Sequence, residues 1–164
     1  MYRITQALSV GRFPTPDRAA DLLVAGVTHI LNVSGRPGEI PAGPSAFREV
    51  AWVPLDDDRH IPPGVALRAL GELHRMAAGA GAHVYVHCAG GCLRGPTVLW
   101  LYLVACGLDP EAARTAIEAR SPGACPGHDR LVGPDLVRQA RAHGLAHFLP
   151  LPRGEILTPA GGPA

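Results

Sequence analysis

The stretch VYVHCAGGCLRGPTVLWLYLVACG, Val84 to Gly107, decides the fold. Val84-Tyr85-Val86 is a short apolar run that reads as a buried strand ending at His87-Cys88. Ala89-Gly90-Gly91-Cys92-Leu93 is a tight, glycine-rich turn, and Arg94 stands where an apolar helix, Thr97–Cys106, is about to begin. A strand that turns directly into a helix points unpaired N–H groups at one spot, and the helix dipole adds positive charge there. Gly90 and Gly91 let consecutive amides converge into a nest. Arg94 can add planar, paired hydrogen bonds to two oxygens of a bound oxyanion. The same field favours negative charge on the sulfur of Cys88. The stretch therefore reads as an anion cradle with a nucleophile at its base.

Working outward, strands and helices alternate. Tyr2–Val10 holds one or two short strands around Ile4 and Leu8/Val10. Thr15-Pro16-Asp17 has the form of a helix start, and the helix runs over Asp17–Ala25 until Gly26 stops it. Val27–Val33 and Phe47–Val53 read as strands, with a Gly/Pro/Ser-rich loop over Ser34–Ser45 between them. A helix begins at Pro63 and ends at Gly79-Ala80-Gly81. Asp109, followed by Pro110, caps a helix over Asp109–Ala119, and Pro134–Ala142 is the last one. Trp52 and Trp100 read as core aromatics, and Cys106, on an apolar helix, as core. The pattern predicts an α/β fold with a central, mainly parallel sheet of four to five strands flanked by helices. One domain is expected over residues 1–144, followed by a Pro/Gly-rich arm over 145–164.

Composition sets outer limits. The chain has 164 residues, of which 47% are hydrophobic and 18% charged, with a formal charge of +1. That is a globular chain with no global argument for nucleic acid or an anionic membrane as partner. No apolar run is long enough to span a bilayer, and the first residues lack the apolar segment of a signal peptide. The four cysteines, Cys88, Cys92, Cys106 and Cys125, are therefore expected as free thiols in a reducing cytoplasm, in a monomer. His87, Cys88 and Cys92 with Cys125 or His128 include zinc-type ligands. A second close pair is missing, so neither metal nor cofactor is expected.

Phosphoryl transfer to a thiolate asks for little beyond positioning, charge stabilisation and a proton for the leaving oxygen. Pro54-Leu55-Asp56-Asp57-Asp58-Arg59-His60 offers three carboxyls in a row, and the residues alone do not choose among Asp56, Asp57 and Asp58.

His87-Cys88-x-x-Gly91-x-x-Arg94 resembles the signature of the cysteine-dependent protein tyrosine phosphatases. Chain length and element order resemble the compact dual-specificity branch. Gly26–Val33 is similar to that branch's strand before its variable loop, and Pro54-Leu55-Asp56-Asp57 to its acid loop. The likeness extends over Ile4 to Gly144. It implies Cys88 as nucleophile, Arg94 as phosphate ligand and Asp57 as general acid. It also implies a phosphate cradle made of Ala89, Gly90, Gly91, Cys92, Leu93 and Arg94, with His87 hydrogen-bonded to the loop in support. Arg120 stands near the place of an arginine that braces the loop in similar phosphatases. The implied activity is hydrolysis of phosphotyrosine, with phosphoserine and phosphothreonine as a second class, in proteins or small aryl phosphates.

One departure stands out. The family places Ser or Thr directly after the arginine to steady the departing thiolate; here Gly95 and Pro96 follow, and Thr97 lies two residues further on. A catalytically weak phosphate-binding module is therefore an alternative, as is an arsenate reductase with Cys92 as resolving thiol, or a sulfur transferase.

Overall fold

The computed structural model describes residues 1–38, 40 and 46–148. The strands are β1 (Tyr2–Arg3), β2 (Leu8–Arg12), β3 (His29–Asn32), β4 (Glu49–Trp52) and β5 (Val84–Cys88). The helices are α1 (Pro16–Val24), α2 (Pro63–Ala77), α3 (Arg94–Ala105), α4 (Pro110–Glu118) and α5 (Leu136–His147). The five strands lie in the order β1-β2-β5-β3-β4, parallel throughout except for the antiparallel pair β1/β2. This is the α/β sheet expected from the alternation of elements, with β5 at its centre.

Side chains alternate across β5 and divide the core in two. Val84, Val86 and Cys88 join the larger cluster, built with α2, α3, α4 and α5. Tyr85 joins a smaller cluster with Ala19 and Leu22 of α1, Ile30 and Phe47. Every residue of α3 is buried, as its all-round apolar sequence requires. The catalytic-type loop thus grows out of the middle strand and the most enclosed helix. Asp109 caps α4 as expected, its Oδ1 accepting from Glu111 N at 2.9 Å and Ala112 N at 3.2 Å. Thr15 precedes α1, but its side chain makes no capping hydrogen bond.

Three expectations are corrected. The last helix does not stop at Ala142 but continues to His147. Gly144 lies within it: a Cβ there would collide with the carbonyl of Ala105, so the glycine is what lets α5 lie against α3. Leu145–His147 thus belong to this helix rather than to an arm, and residues 149–164 lie outside the described residues. Trp52 is not core; it ends the edge strand β4 with 45% of its surface exposed, and its indole N–H donates to Ser34 O at 2.9 Å. Cys106 is only half-buried, packed at the margin of the larger cluster, and burial pushes its thiol up to about 11. Trp100 is buried as expected.

Candidate active site

The turn after β5 is held tightly from behind. Phe13 N donates to Ala89 O at 3.1 Å, linking the end of β2 to the first residue of the loop. Gly91 has φ +78, and a Cβ on it would come within 2.7 Å of Gly11 C and 2.8 Å of Arg12 N. Only glycine satisfies both the left-handed backbone and this approach. On the other flank Cys125 N donates to Cys92 O at 2.8 Å, and Gly127 N to the buried Thr97 hydroxyl at 3.1 Å. The segment between α4 and α5 therefore braces the loop through its backbone. Arg120, expected in that role, has no such contact among the described residues. Arg114 supports the segment instead, donating to Pro126 O and lying over the Trp100 ring.

Cys88 is buried, and its Sγ accepts from Gly91 N at 3.3 Å. That amide points into the loop, as an anion nest requires. The N-terminus of α3 carries no side-chain cap, so the Arg94 and Gly95 amides of its first turn are left for a ligand. Arg94 opens α3 and is buried, with 8% of its surface exposed. Its Nη1 donates to Leu55 O at 3.0 Å, and its Nη2 lies 2.9 Å from Asp57 Oδ2.

This contact distinguishes the three carboxyls. Asp57 alone of the triplet meets Arg94. Asp56 turns to Arg59, whose Nε donates to it at 2.7 Å, and Asp58 is exposed. The reason is local: Val53 and Leu55 alternate inward and anchor the segment, presenting the Leu55 carbonyl and then Asp57 to the guanidinium. The far end of the loop is tied by Ile61 N to Leu131 O at 2.8 Å, and His60 Nε2 lies 3.1 Å from Asp129 O. The turn after β3 closes the third side. Asn32 Nδ2 donates to Arg36 O, Ser34 N donates to Asn32 Oδ1, and Gly35 packs toward Arg94 Nη1. Sequence reading missed Asn32 and Ser34; a polar residue ending an otherwise apolar strand was the available signal.

His87 is fully buried, and neither ring nitrogen has a hydrogen-bond partner among the described residues. Its ring packs edge-on to Phe13 and stacks on Tyr85. Aromatic packing against Phe13 and Tyr85 holds the ring in place behind the loop. Burial pulls its pKa down to about 4, so it is a neutral ring. Cys92 is exposed, its thiol donating to Gly90 O at 3.5 Å, while Cys88 is buried. Among the described residues no group of three or more His, Cys, Asp or Glu is arranged to hold a metal.

A buried cysteine and arginine on one amide-lined loop, facing an aspartate from a second loop, match a known pattern. The model of the Swiss Army Knife protein DSP-PTPase phosphatase domain matches residues 5–142. The chain belongs to this dual-specificity-type branch of the cysteine phosphatases. Human DUSP28 is similar in structure at 27% identity and a TM-score of 0.64, over 89% of this chain and 96% of its own. DUSP15 has 22% identity and a TM-score of 0.66, over 88% and 86%. PTPMT1 in complex with PI(5)P has 16% identity and a TM-score of 0.66, over 88% and 94%. These last two likenesses speak for the fold alone. No curated protein sequence gives a significant match. No helix among the described residues is long and apolar enough to cross a membrane.

Proposed function

We propose that this phosphatase domain hydrolyses phosphotyrosine in proteins, with phosphoserine and phosphothreonine as a second class, through a phosphocysteine at Cys88. The observation that carries the proposal is the meeting of Asp57 and Leu55 O with the Arg94 guanidinium beside the Cys88 loop. Three distant segments converge where a phosphate would sit. In the first step the Cys88 thiolate bonds to phosphorus and the P–O ester bond breaks. The leaving oxygen takes a proton from the Asp57 carboxyl. In the second, water attacks phosphorus, Asp57 takes its proton, and the P–S bond breaks to return the thiolate. Arg94 and the loop amides neutralise the equatorial oxygens throughout, so the chemistry asks for no metal. The uncharged loop residues Ala89–Leu93 favour a monophosphate over a polyphosphorylated headgroup at the reacting position.

The test is hydrolysis of para-nitrophenyl phosphate with reductant and without added metal. Wild type turns over, Cys88→Ser does not, and Arg94→Ala loses about 10²–10³-fold. An inactive wild type sinks the proposal. A weak phosphate-binding module is the second reading, favoured by Gly95 in place of a hydroxyl residue. Tungstate binding without turnover selects it. Cys92→Ser separates an arsenate reductase, which needs a resolving thiol, from a phosphatase, which does not.

A further inference from the structure

Arg94 Nη2 lies 2.9 Å from Asp57 Oδ2, yet the same nitrogen is a donor that a phosphate in the cradle would claim. While a proton is passed to the leaving oxygen, Asp57 must therefore be held by its own loop. Two posts carry that loop. Leu55 is buried, and its carbonyl accepts from Arg94 Nη1 at 3.0 Å. Ile61 is buried, and its amide donates to Leu131 O at 2.8 Å. Pro62 restricts Ile61 to an extended backbone, so the second post is stiff. The freedom that remains lies between the posts, where residues 56–60 are all exposed. Arg59 is spent inside this span, on Asp56. Besides Asp57, His60 is the one side chain of the span with a hydrogen bond beyond it among the described residues. Its Nε2 lies 3.1 Å from Asp129 O. A carbonyl only accepts, so Nε2 carries hydrogen in this contact, whether the ring is neutral or charged. Gly133 makes room for the ring, since a Cβ there would come within 3.2 Å of Nδ1.

Asp129 and Leu131 belong to the segment of residues 125–133, whose other end is fixed to the cradle. Cys125 N donates to Cys92 O, and Gly127 N to the Thr97 hydroxyl. Within the segment, Leu131 N and Val132 N both donate to His128 O. One internally bonded segment thus runs from the signature loop to the far post of the acid loop. We propose that His60 is a positioning residue for the general acid: its bond to the Asp129 carbonyl ties the exposed span to this segment and holds Asp57 over the leaving oxygen. The role rests on the phosphatase reading, because His60 acts through Asp57 and does not touch the phosphate.

The test compares kcat/KM, which covers the breaking of the P–O bond, on a phosphotyrosine peptide and on para-nitrophenyl phosphate, whose phenolate leaves with little need of a proton. His60→Ala is expected to lower the peptide value about tenfold and the para-nitrophenyl value by no more than about twofold. The melting temperature, and peptide binding in a Cys88→Ser background, should not move. His60→Gln, whose side-chain amide can still donate, should keep most of the activity. In an Asp57→Asn background His60→Ala should cost nothing further, since no acid is left to place. Hydrogen exchange reads the tether without turnover: in His60→Ala the amides of residues 56–60 should exchange faster while those of residues 88–93 keep their rates. Unchanged exchange over 56–60 overturns the tether. An equal loss on both substrates, or a full further loss in the Asp57→Asn background, overturns the positioning role. If wild type hydrolyses neither substrate, the phosphatase reading falls, while exchange still decides whether His60 holds the loop.

Discussion

The signature loop and the acid loop meet at Arg94, but they are built differently. The first is an extension of the core: it leaves the central strand, enters a helix buried on all sides, and is pinned from β2 and from the α4–α5 segment. The second is slung across the surface between β4 and α2. It is anchored by Val53, Leu55 and Ile61 inside and by single hydrogen bonds at Leu55 and Ile61, with Asp57 itself largely exposed. One half of the site cannot move without disturbing the fold, while the other can be altered or displaced at little cost in stability. On the proposed mechanism, binding and attack belong to the first half, and proton transfer to the second.

The most severe way to break the first half is Gly91→Ala. The added methyl meets the Gly11 and Arg12 backbone, which cannot swing aside, and the residue must keep a positive φ. A loss of about 3 kcal/mol in stability is expected, together with nearly all activity, read by thermal melting and phosphate release. An active, equally stable variant would show that the loop is less tightly backed than its contacts imply.

Asp57→Asn attacks the second half alone. Hydrolysis of a phosphotyrosine peptide should fall about 10²–10³-fold with the melting temperature nearly unchanged. Asp56→Asn and Asp58→Asn should stay within about twofold, since neither carboxyl meets Arg94. Equal losses in all three would mean that the loop supplies only general negative charge.

The two halves also differed in how far the sequence disclosed them. The cradle is written in contiguous residues, strand, glycine turn, arginine and apolar helix, so local rules suffice to read it. Asp57 is one of three identical neighbours: the residues alone do not choose among them, the resemblance implied it, and the inward anchoring of Leu55 gives the physical reason. The backing of Gly91 by Gly11 and Arg12 was illegible for a different reason: it comes from β2/β5 pairing between segments far apart in the chain. Trp52 was misread because nothing local reveals that β4 is an edge strand. The last helix was ended at Ala142, short of Gly144, because nothing local reveals that this glycine lets two helices touch until the partner, Ala105, is known.

Acid should expose the core side of the comparison. His87 and His83 are both buried, and burial lowers each pKa from the ordinary 6.5 to about 4. For His83 the Arg3 charge adds to the effect, while its Nε2 lies 2.6 Å from Ser9 Oγ. The unfolded chain binds these protons first, so stability is full above about pH 6.5 and falls as pH drops toward 4. The loss is on the order of 3 kcal/mol per histidine. His83→Gln should flatten the fall in denaturant midpoint between these pH values; an unchanged slope would assign acid sensitivity to other groups.

The smallest expected effect is a gain, and it concerns the one place where the core half departs from its family. Thr97 does not supply the missing hydroxyl: its Oγ1 is turned to Gly127 N, and it makes no hydrogen bond to Cys88 among the described residues. Gly95 has room for one. A Cβ there would sit 3.4 Å from Val10 Cγ2 and 3.5 Å from Cys88 N, both ordinary contacts, and its φ is not positive. A serine hydroxyl at this point would stand beside the nucleophile's own residue, placed to donate to the thiolate as the P–S bond breaks. Without it, phosphoenzyme hydrolysis is expected to limit turnover, giving a burst of para-nitrophenol followed by a slower steady state. Gly95→Ser should raise the steady rate about threefold to tenfold, the net range of one added hydrogen bond, and diminish the burst. A wild type with no burst, or a serine variant with the burst intact, would return the slow step to the acid loop and make Asp57, not Gly95, the residue that sets turnover.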